Sequence, residues 1–236
     1  MKKFPLIVLA VLSSLILLNS CTLDNNNTTQ PQSGAFLIAQ TSPTAPHLSI
    51  YINNSVFDTG LVFGNYTPYV AGVNPGTYNL GVFAPNTTTP SLTSSITIDV
   101  NKFYSYFIID SFNKVKAAFI NDVFKAPSGD SAYIRFFNFC PNSGALSLAL
   151  SGGANLSADR IFNDQQTNPQ YIAFNNEVKA GTYSFDLKNA SDSVLKTQSI
   201  NLVGGKVYTL FAKGIIGSTD STKALSIGQL ENYPQH

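Results

Sequence analysis

Two cysteines, two histidines and thirteen carboxylates are the side chains of this 236-residue sequence best suited to chemistry, and their spacing limits what each can do. His47 sits in a proline-rich stretch and His236 is the last residue. A zinc site needs several nitrogen or sulfur ligands converging on one point. Two distant histidines and one spare thiol do not supply them. Cys140, in Phe139-Cys140-Pro141-Asn142, has apolar neighbours and only Arg135 close in sequence to lower its pKa. It therefore reads as a buried, inert thiol rather than a nucleophile. No Gly-x-Ser-x-Gly elbow is present, and Gly152-Gly153 and Gly204-Gly205 read as turns rather than phosphate cradles. Asp99, Asp110 and Asp122 stand where strands should meet loops, which reads as turn capping. Asn163–Asn168 reads as a plain polar loop, with a weak calcium loop as the lesser reading. Tyr66 and Tyr69, in Asn65-Tyr66-Thr67-Pro68-Tyr69, are the candidate ligand-binding residues. Two rings on a loop can form a stacking platform, although edge packing is the competing reading. No catalytic residue, metal ligand or cofactor is assigned.

Cys21 points to chemistry of another kind. Lys2-Lys3 precede a run from Phe4 to Leu18 that is apolar apart from Pro5, Ser13 and Ser14, and Leu18-Asn19-Ser20-Cys21 closes it. The run is short of the about 20 apolar residues that a membrane span needs. The next charge is Asp24, so no stop-transfer cluster follows. This order reads as a bacterial lipoprotein signal, cleaved after Ser20, with Cys21 as the lipid attachment site. A secretory signal with an incidental cysteine is the competing reading. Each buried methylene contributes about 0.8 kcal/mol, so three acyl chains would make attachment effectively permanent. Residues 22–33 contain one apolar residue, Leu23. A polar coil of that length spans about 20 Å r.m.s., suited to a tether.

Composition narrows the remainder. Loss of Lys2 and Lys3 with the signal turns the net charge from +1 to −1, so the basic footprint of a nucleic-acid binder is absent. Charged residues make up only 11% of the chain, and Ser, Thr, Asn and Gln must supply the polar surface. With Cys21 acylated, Cys140 has no partner for an internal disulfide. Seventeen Phe and eleven Tyr can still build a core.

Short runs rich in Val, Ile, Tyr, Phe and Thr recur between Gly, Pro, Asn and Asp, which predicts an all-β protein. Leu48, Ile50 and Ile52 alternate with His47, Ser49 and Tyr51; Tyr78, Leu80 and Val82 alternate with Asn79 and Gly81. Phe103–Ile109 is apolar on both faces, which predicts a central strand. The pattern then repeats. Ile96–Phe107 aligns with Ile200–Phe211 at a constant offset, Gly76-Thr77-Tyr78 with Gly181-Thr182-Tyr183, and Pro43 with Pro141. Two tandem immunoglobulin- or transthyretin-like β-sandwiches are expected. The predicted organisation is a signal peptide over 1–20, a lipidated tether over 21–33, and sandwiches over 34–124 and 125–236.

Ser42-Pro43-Thr44-Ala45-Pro46-His47-Leu48-Ser49-Ile50-Tyr51-Ile52-Asn53 resembles the opening signature of the DUF4397 family. Pro75-Gly76-Thr77-Tyr78 and Lys102-Phe103-Tyr104 resemble later stretches of it. In the second copy, Ala132-Tyr133-Ile134-Arg135-Phe136-Phe137-Asn138 and Pro141 resemble the family opening again. Thr44 stands where the family usually has Asp, which weakens any idea of cation binding by that loop. The resemblance implies exported bacterial β-sandwich domains, often in lipoproteins of Bacteroidota, and no established activity. Asp130-Ser131, Asp192-Ser193 and Asp220-Ser221 also resemble the short O-glycosylation acceptor of those bacteria.

The function expected from these observations is a lipid-anchored protein of the cell envelope, at the outer membrane, acting as a non-catalytic binding or structural module. Its expected partners are the membrane, through the lipid, and an envelope glycan or protein, with no nucleic acid. The alternative is a carbohydrate-processing accessory or hydrolase with an unrecognised carboxylate pair.

Overall fold

The computed structural model describes residues 32–232. The signal, Cys21, most of the tether and His236 lie outside them. Sixteen strands and three short 3₁₀ turns are present among the described residues. The first eight strands are β1 (Gly34–Gln40), β2 (Leu48–Ile52), β3 (Ser55–Leu61), β4 (Val70–Val73), β5 (Gly76–Phe83), β6 (Leu92–Ile98), β7 (Phe103–Ile109) and β8 (Lys116–Asp122). The second eight are β9 (Ser131–Asn138), β10 (Leu146–Leu150), β11 (Asn155–Arg160), β12 (Asn176–Lys179), β13 (Gly181–Asn189), β14 (Val194–Leu202), β15 (Val207–Lys213) and β16 (Ser226–Glu231).

The predicted all-β class and the two similar domains are what the structure has. The first eight strands form sheets ordered β4-β1-β7-β8 and β3-β2-β5-β6; the second eight form β12-β9-β15-β16 and β11-β10-β13-β14. Adding eight to every strand number of the first domain reproduces the second. Each domain even keeps the same parallel pair, β1 with β7 and β9 with β15. Tyr104 and Tyr208 accordingly fall in matching strands. The repeated Gly-Thr-Tyr opens β5 and β13, where Gly76 and Gly181 have φ of 153° and 151°, in a region favoured by glycine. The Tyr78 hydroxyl donates to the Asn74 carbonyl at 2.7 Å.

Side-chain alternation sets the layers. Phe36 and Ile38 of β1 and Tyr104, Tyr106 and Ile108 of β7 pack on Leu48, Ile50, Leu80, Val82, Ile96 and Ile98, which closes the first sandwich. Ile134 and Phe136 of β9 and Leu210 of β15 do the same against Leu146, Leu148, Phe185 and Ile200. The intervening residues of the inner sheets form a third core. There Leu37, Ala39, Phe107 and Ile109 of the first domain meet Phe137, Phe139, Phe211 and Leu230 of the second. Phe107 lies edge-on to Phe137 and Phe211, with ring centroids 5.9 and 6.0 Å away. The result is a four-layer stack in which the two inner sheets are covered on both faces. This is why β7 and β9 carry no polar alternation, since both parities of each strand are removed from water. Burying one such aromatic contributes about 1.5–3 kcal/mol.

Candidate functional site

Covering both faces of the inner sheets leaves the two outer sheets to meet solvent. In the first sandwich the outward positions of β2, β5 and β6 are Ser49, Tyr51, Asn79, Gly81, Phe83, Thr93 and Ser95. Tyr51 pairs with Gly81 across the ladder, Gly81 with Thr93, Ser49 with Phe83, and Asn79 with Ser95. Tyr51 and Phe83 are therefore diagonal neighbours, and their rings meet edge-on at 4.9 Å. Gly81 makes this possible. A Cβ there would stand 2.7 Å from Phe83 Cε2, so the ring occupies the space above the glycine. Asn53 and Asn54 turn the chain from β2 to β3 with φ of 47° and 65°, a two-residue hairpin that needs left-handed residues. That turn brings Asn54 to the same face.

The product is an open groove of about 680 Å³, lined by Tyr51, Phe83, Asn54, Asn79, Thr93 and Ser95, with Gly81 at its floor and Pro90 on its flank. This volume lies within the range of small-molecule sites. None of the ten lining residues carries a charge at neutral pH. Side chains of Asn54, Asn79, Thr93 and Ser95 make no hydrogen bond to other described residues. Ser94, whose hydroxyl meets that of Tyr106 at 2.6 Å, turns inward. The groove thus presents two aromatic rings together with unengaged amides and hydroxyls.

A second polar cluster lies where the sandwiches meet. Arg135 of β9 donates to Asp122 Oδ1 of β8 at 2.5 Å and to Thr209 Oγ1 at 2.7 Å. Both ionised side chains are fully buried. Asp122 Oδ2 accepts from Tyr69 and Ser105, each at 2.6 Å. Asn232 accepts from Thr209 and donates to both Tyr69 and Ser105. The Arg135 guanidinium also lies over the Phe137 and Phe174 rings, at 4.7 and 4.2 Å. Burial, and next the Asp122 charge, push the Tyr69 hydroxyl far above the usual phenol range. Every member is tied to another, which is the condition under which a buried ion pair is tolerated.

The structure separates the two tyrosines nominated from sequence. Tyr66 is 40% exposed, whereas Tyr69 turns its hydroxyl into the buried cluster and packs edge-on to Phe103 and Phe124. A shared platform needs both rings at the surface, and Tyr69 is half-buried because Asp122 draws it inward. Cys140 is fully buried, its thiol pushed up by desolvation, and His47 is exposed. Thr44 accepts from the Phe112 amide at 2.8 Å. Asp164, in the loop weighed for calcium, is held by Arg160 at 2.9 and 2.5 Å. Asp99 accepts from Tyr104, and Asp110 from the Ser111 amide and Lys116. Of the three Asp-Ser sites, Ser131 is buried in β9, while Ser193 and Ser221 are exposed.

Residues 35–149 match the sequence model of the family described as Domain of unknown function (DUF4397). This chain carries a DUF4397 domain. The match begins in β1, spans the whole groove and runs on into β10. No curated protein matches the chain. Among solved structures, similarity extends to a streptococcal virulence factor solved for alpha-glucan binding, with 10% identity over 75% of this chain and 92% of that one, and a TM-score of 0.25. The Bacillus anthracis TIE protein shows 11% identity over 77% and 34% of the two chains, with a TM-score of 0.23. CBMbc, a family CBM26 module from Eubacterium rectale Amy13K solved with maltoheptaose, shows 11% identity over 86% and 97%, with a TM-score of 0.26. At these scores the likeness carries no inference about a ligand.

Proposed function

We propose that this chain is a lipid-anchored protein of the cell envelope that acts as a non-catalytic binding module, with the outer face of the DUF4397 domain as its contact surface. The observation that carries this reading is the groove around Tyr51 and Phe83. Aromatic rings placed on the solvent side of a strand lose part of the stabilisation of burial, and these two, in edge-on contact, remain half-buried. Four polar side chains beside them make no hydrogen bond to other described residues. The buried Arg135–Asp122 cluster supports the same reading, because it holds the sandwiches as one body behind that face.

In this reading Cys21 carries the acyl chains, residues 22–33 are the tether, and the outer membrane is the site of attachment. Two measurements test it. Cys21→Ala should move the protein from the membrane pellet to the soluble fraction after a carbonate wash. Residues 34–236, immobilised and exposed to envelopes of the source cells, should capture material that the Tyr51→Ala/Phe83→Ala variant does not. Equal capture by both would refute the assignment of the contact surface.

A further inference from the structure

We infer that the groove binds a neutral saccharide chain, with Tyr51 and Phe83 as stacking rings and Asn54, Asn79, Thr93 and Ser95 as hydrogen-bond partners. This rests on the reading of that face as the contact surface and adds the chemical class of the occupant.

The lining selects the class. A pyranose ring has an apolar face of C–H bonds and a rim of hydroxyls, each both donor and acceptor. Aromatic rings match the face, because their electron-rich surfaces attract weakly positive C–H groups while both are removed from water. Asparagine amides match the rim, since one side chain offers donors and an acceptor to neighbouring hydroxyls. The groove has both elements within one patch three strands wide. An anionic ligand would need Lys or Arg at the lining, and none is there; nucleic acid would need several. A peptide adding as a strand would need a sheet edge, whereas Tyr51 and Phe83 lie on the two interior strands of β3-β2-β5-β6. A helix docking by its apolar face would bury the four polar side chains without partners, at a cost that disfavours it. Hydroxyl-rich ligands avoid that cost.

The second sandwich is an internal control. The residues in register with Tyr51, Gly81 and Phe83 are Ala149, Asp186 and Lys188. Both rings are gone, and the floor position holds a carboxylate already engaged by Ser151 and Thr197 at 2.8 and 2.6 Å. The strand plan alone therefore does not generate the aromatic and amide pattern.

The test uses residues 34–236 in native gels containing glycogen, laminarin, yeast mannan or, as an acidic comparison, polygalacturonate. A neutral polysaccharide should retard the protein, with at least about tenfold weaker apparent affinity for Tyr51→Ala and for Asn79→Ala. Tyr51→Phe and Phe83→Tyr should keep most of the retardation, because the ring faces persist. Urea midpoints of all variants should match the parent, which separates lost contact from lost fold. In parallel, envelopes oxidised with periodate should no longer supply material to the groove, whereas protease-treated envelopes should. Capture that depends on Tyr51 but survives periodate and disappears with protease would overturn the saccharide and leave the contact surface standing. Retardation by polygalacturonate alone would overturn it as well. Capture that ignores Tyr51 and Phe83 would instead remove the underlying reading.

Discussion

The outer sheets of the two sandwiches share one strand plan and differ in what they show to solvent. On the first, Tyr51, Gly81 and Thr93 form one row across the sheet; on the second, Ala149, Asp186 and Thr197 stand in the same register. One row makes a groove with unengaged polar groups, and the other closes on itself through hydrogen bonds to Asp186. Inward positions differ much less: Leu48, Ile50 and Val82 correspond to Leu146, Leu148 and Leu187. Duplication of a sandwich thus preserves the parity that builds the core and leaves the opposite parity free to diverge. That divergent face of the first sandwich is the one proposed above as the contact surface.

The largest expected effect breaks what the sandwiches have in common, their junction. Asp122→Ala would leave the Arg135 guanidinium buried without its counter-ion, and removal of one partner from such a pair costs about 3–5 kcal/mol. Urea unfolding should show that loss, and Arg135→Ala should lose a similar amount. The double variant Arg135→Met/Asp122→Leu should recover much of it, since no uncompensated charge remains. A double variant as unstable as either single one would mean that the cluster acts through something other than paired charge.

Next in size is a change that gives the first face the floor residue of the second. Gly81→Asp would displace the Phe83 ring, whose Cε2 lies 2.7 Å from where the new Cβ stands, and would put a carboxylate in the groove. Capture of envelope material should fall at least about tenfold, equivalent to about 1.4 kcal/mol. Stability should change little, because a flexible ring can move aside at a surface. Undiminished capture would show that the rings are not what the ligand meets.

The complementary change, Asp186→Ala, removes the group that closes the second face. Ser151 and Thr197 lose a charged acceptor but reach water, so the loss should be about 1–2 kcal/mol in unfolding free energy. Capture should be unaffected, which isolates binding to the first sandwich.

These residues also mark how far the sequence was legible. Alternation identified the inward sets correctly, and two-faced apolarity in Phe103–Ile109 predicted a central strand, which β7 is in its sheet; the stacking of the two inner sheets was not legible there. The same parity had placed Tyr51 opposite Leu48, Ile50 and Ile52. A ring on the solvent side of a strand was therefore visible, but nothing local linked it to Phe83, which joins it only through the β2–β5 register. Tyr66 and Tyr69 stood out because they are close in the chain. Asp122 decides otherwise, drawing Tyr69 inward from 53 residues away. Asp122 itself read as a turn cap, because its partner Arg135 belongs to the other sandwich. Contacts across sheets carry no signature in either strand alone.

The smallest effect concerns a position where the two sandwiches use different atoms for one place. In the family opening, Ser42 precedes Pro43 as Cys140 precedes Pro141. Both side chains are fully buried. Cys140 tolerates this, since a thiol behaves as a small apolar group and its sulfur reaches Asn142 Oδ1 at 3.4 Å. The Ser42 hydroxyl has no hydrogen-bond partner among the described residues. A hydroxyl in that position costs about 1–3 kcal/mol of desolvation, while the alanine that would replace it costs only one lost contact. Ser42→Ala should therefore raise the urea midpoint by the equivalent of about 1 kcal/mol, and Ser42→Cys, which copies the second sandwich, should do the same. Cys140→Ser, the reverse exchange, should lower it. A loss of stability in Ser42→Ala would show that a buried water completes the site, and that the sandwiches solve this corner by different means.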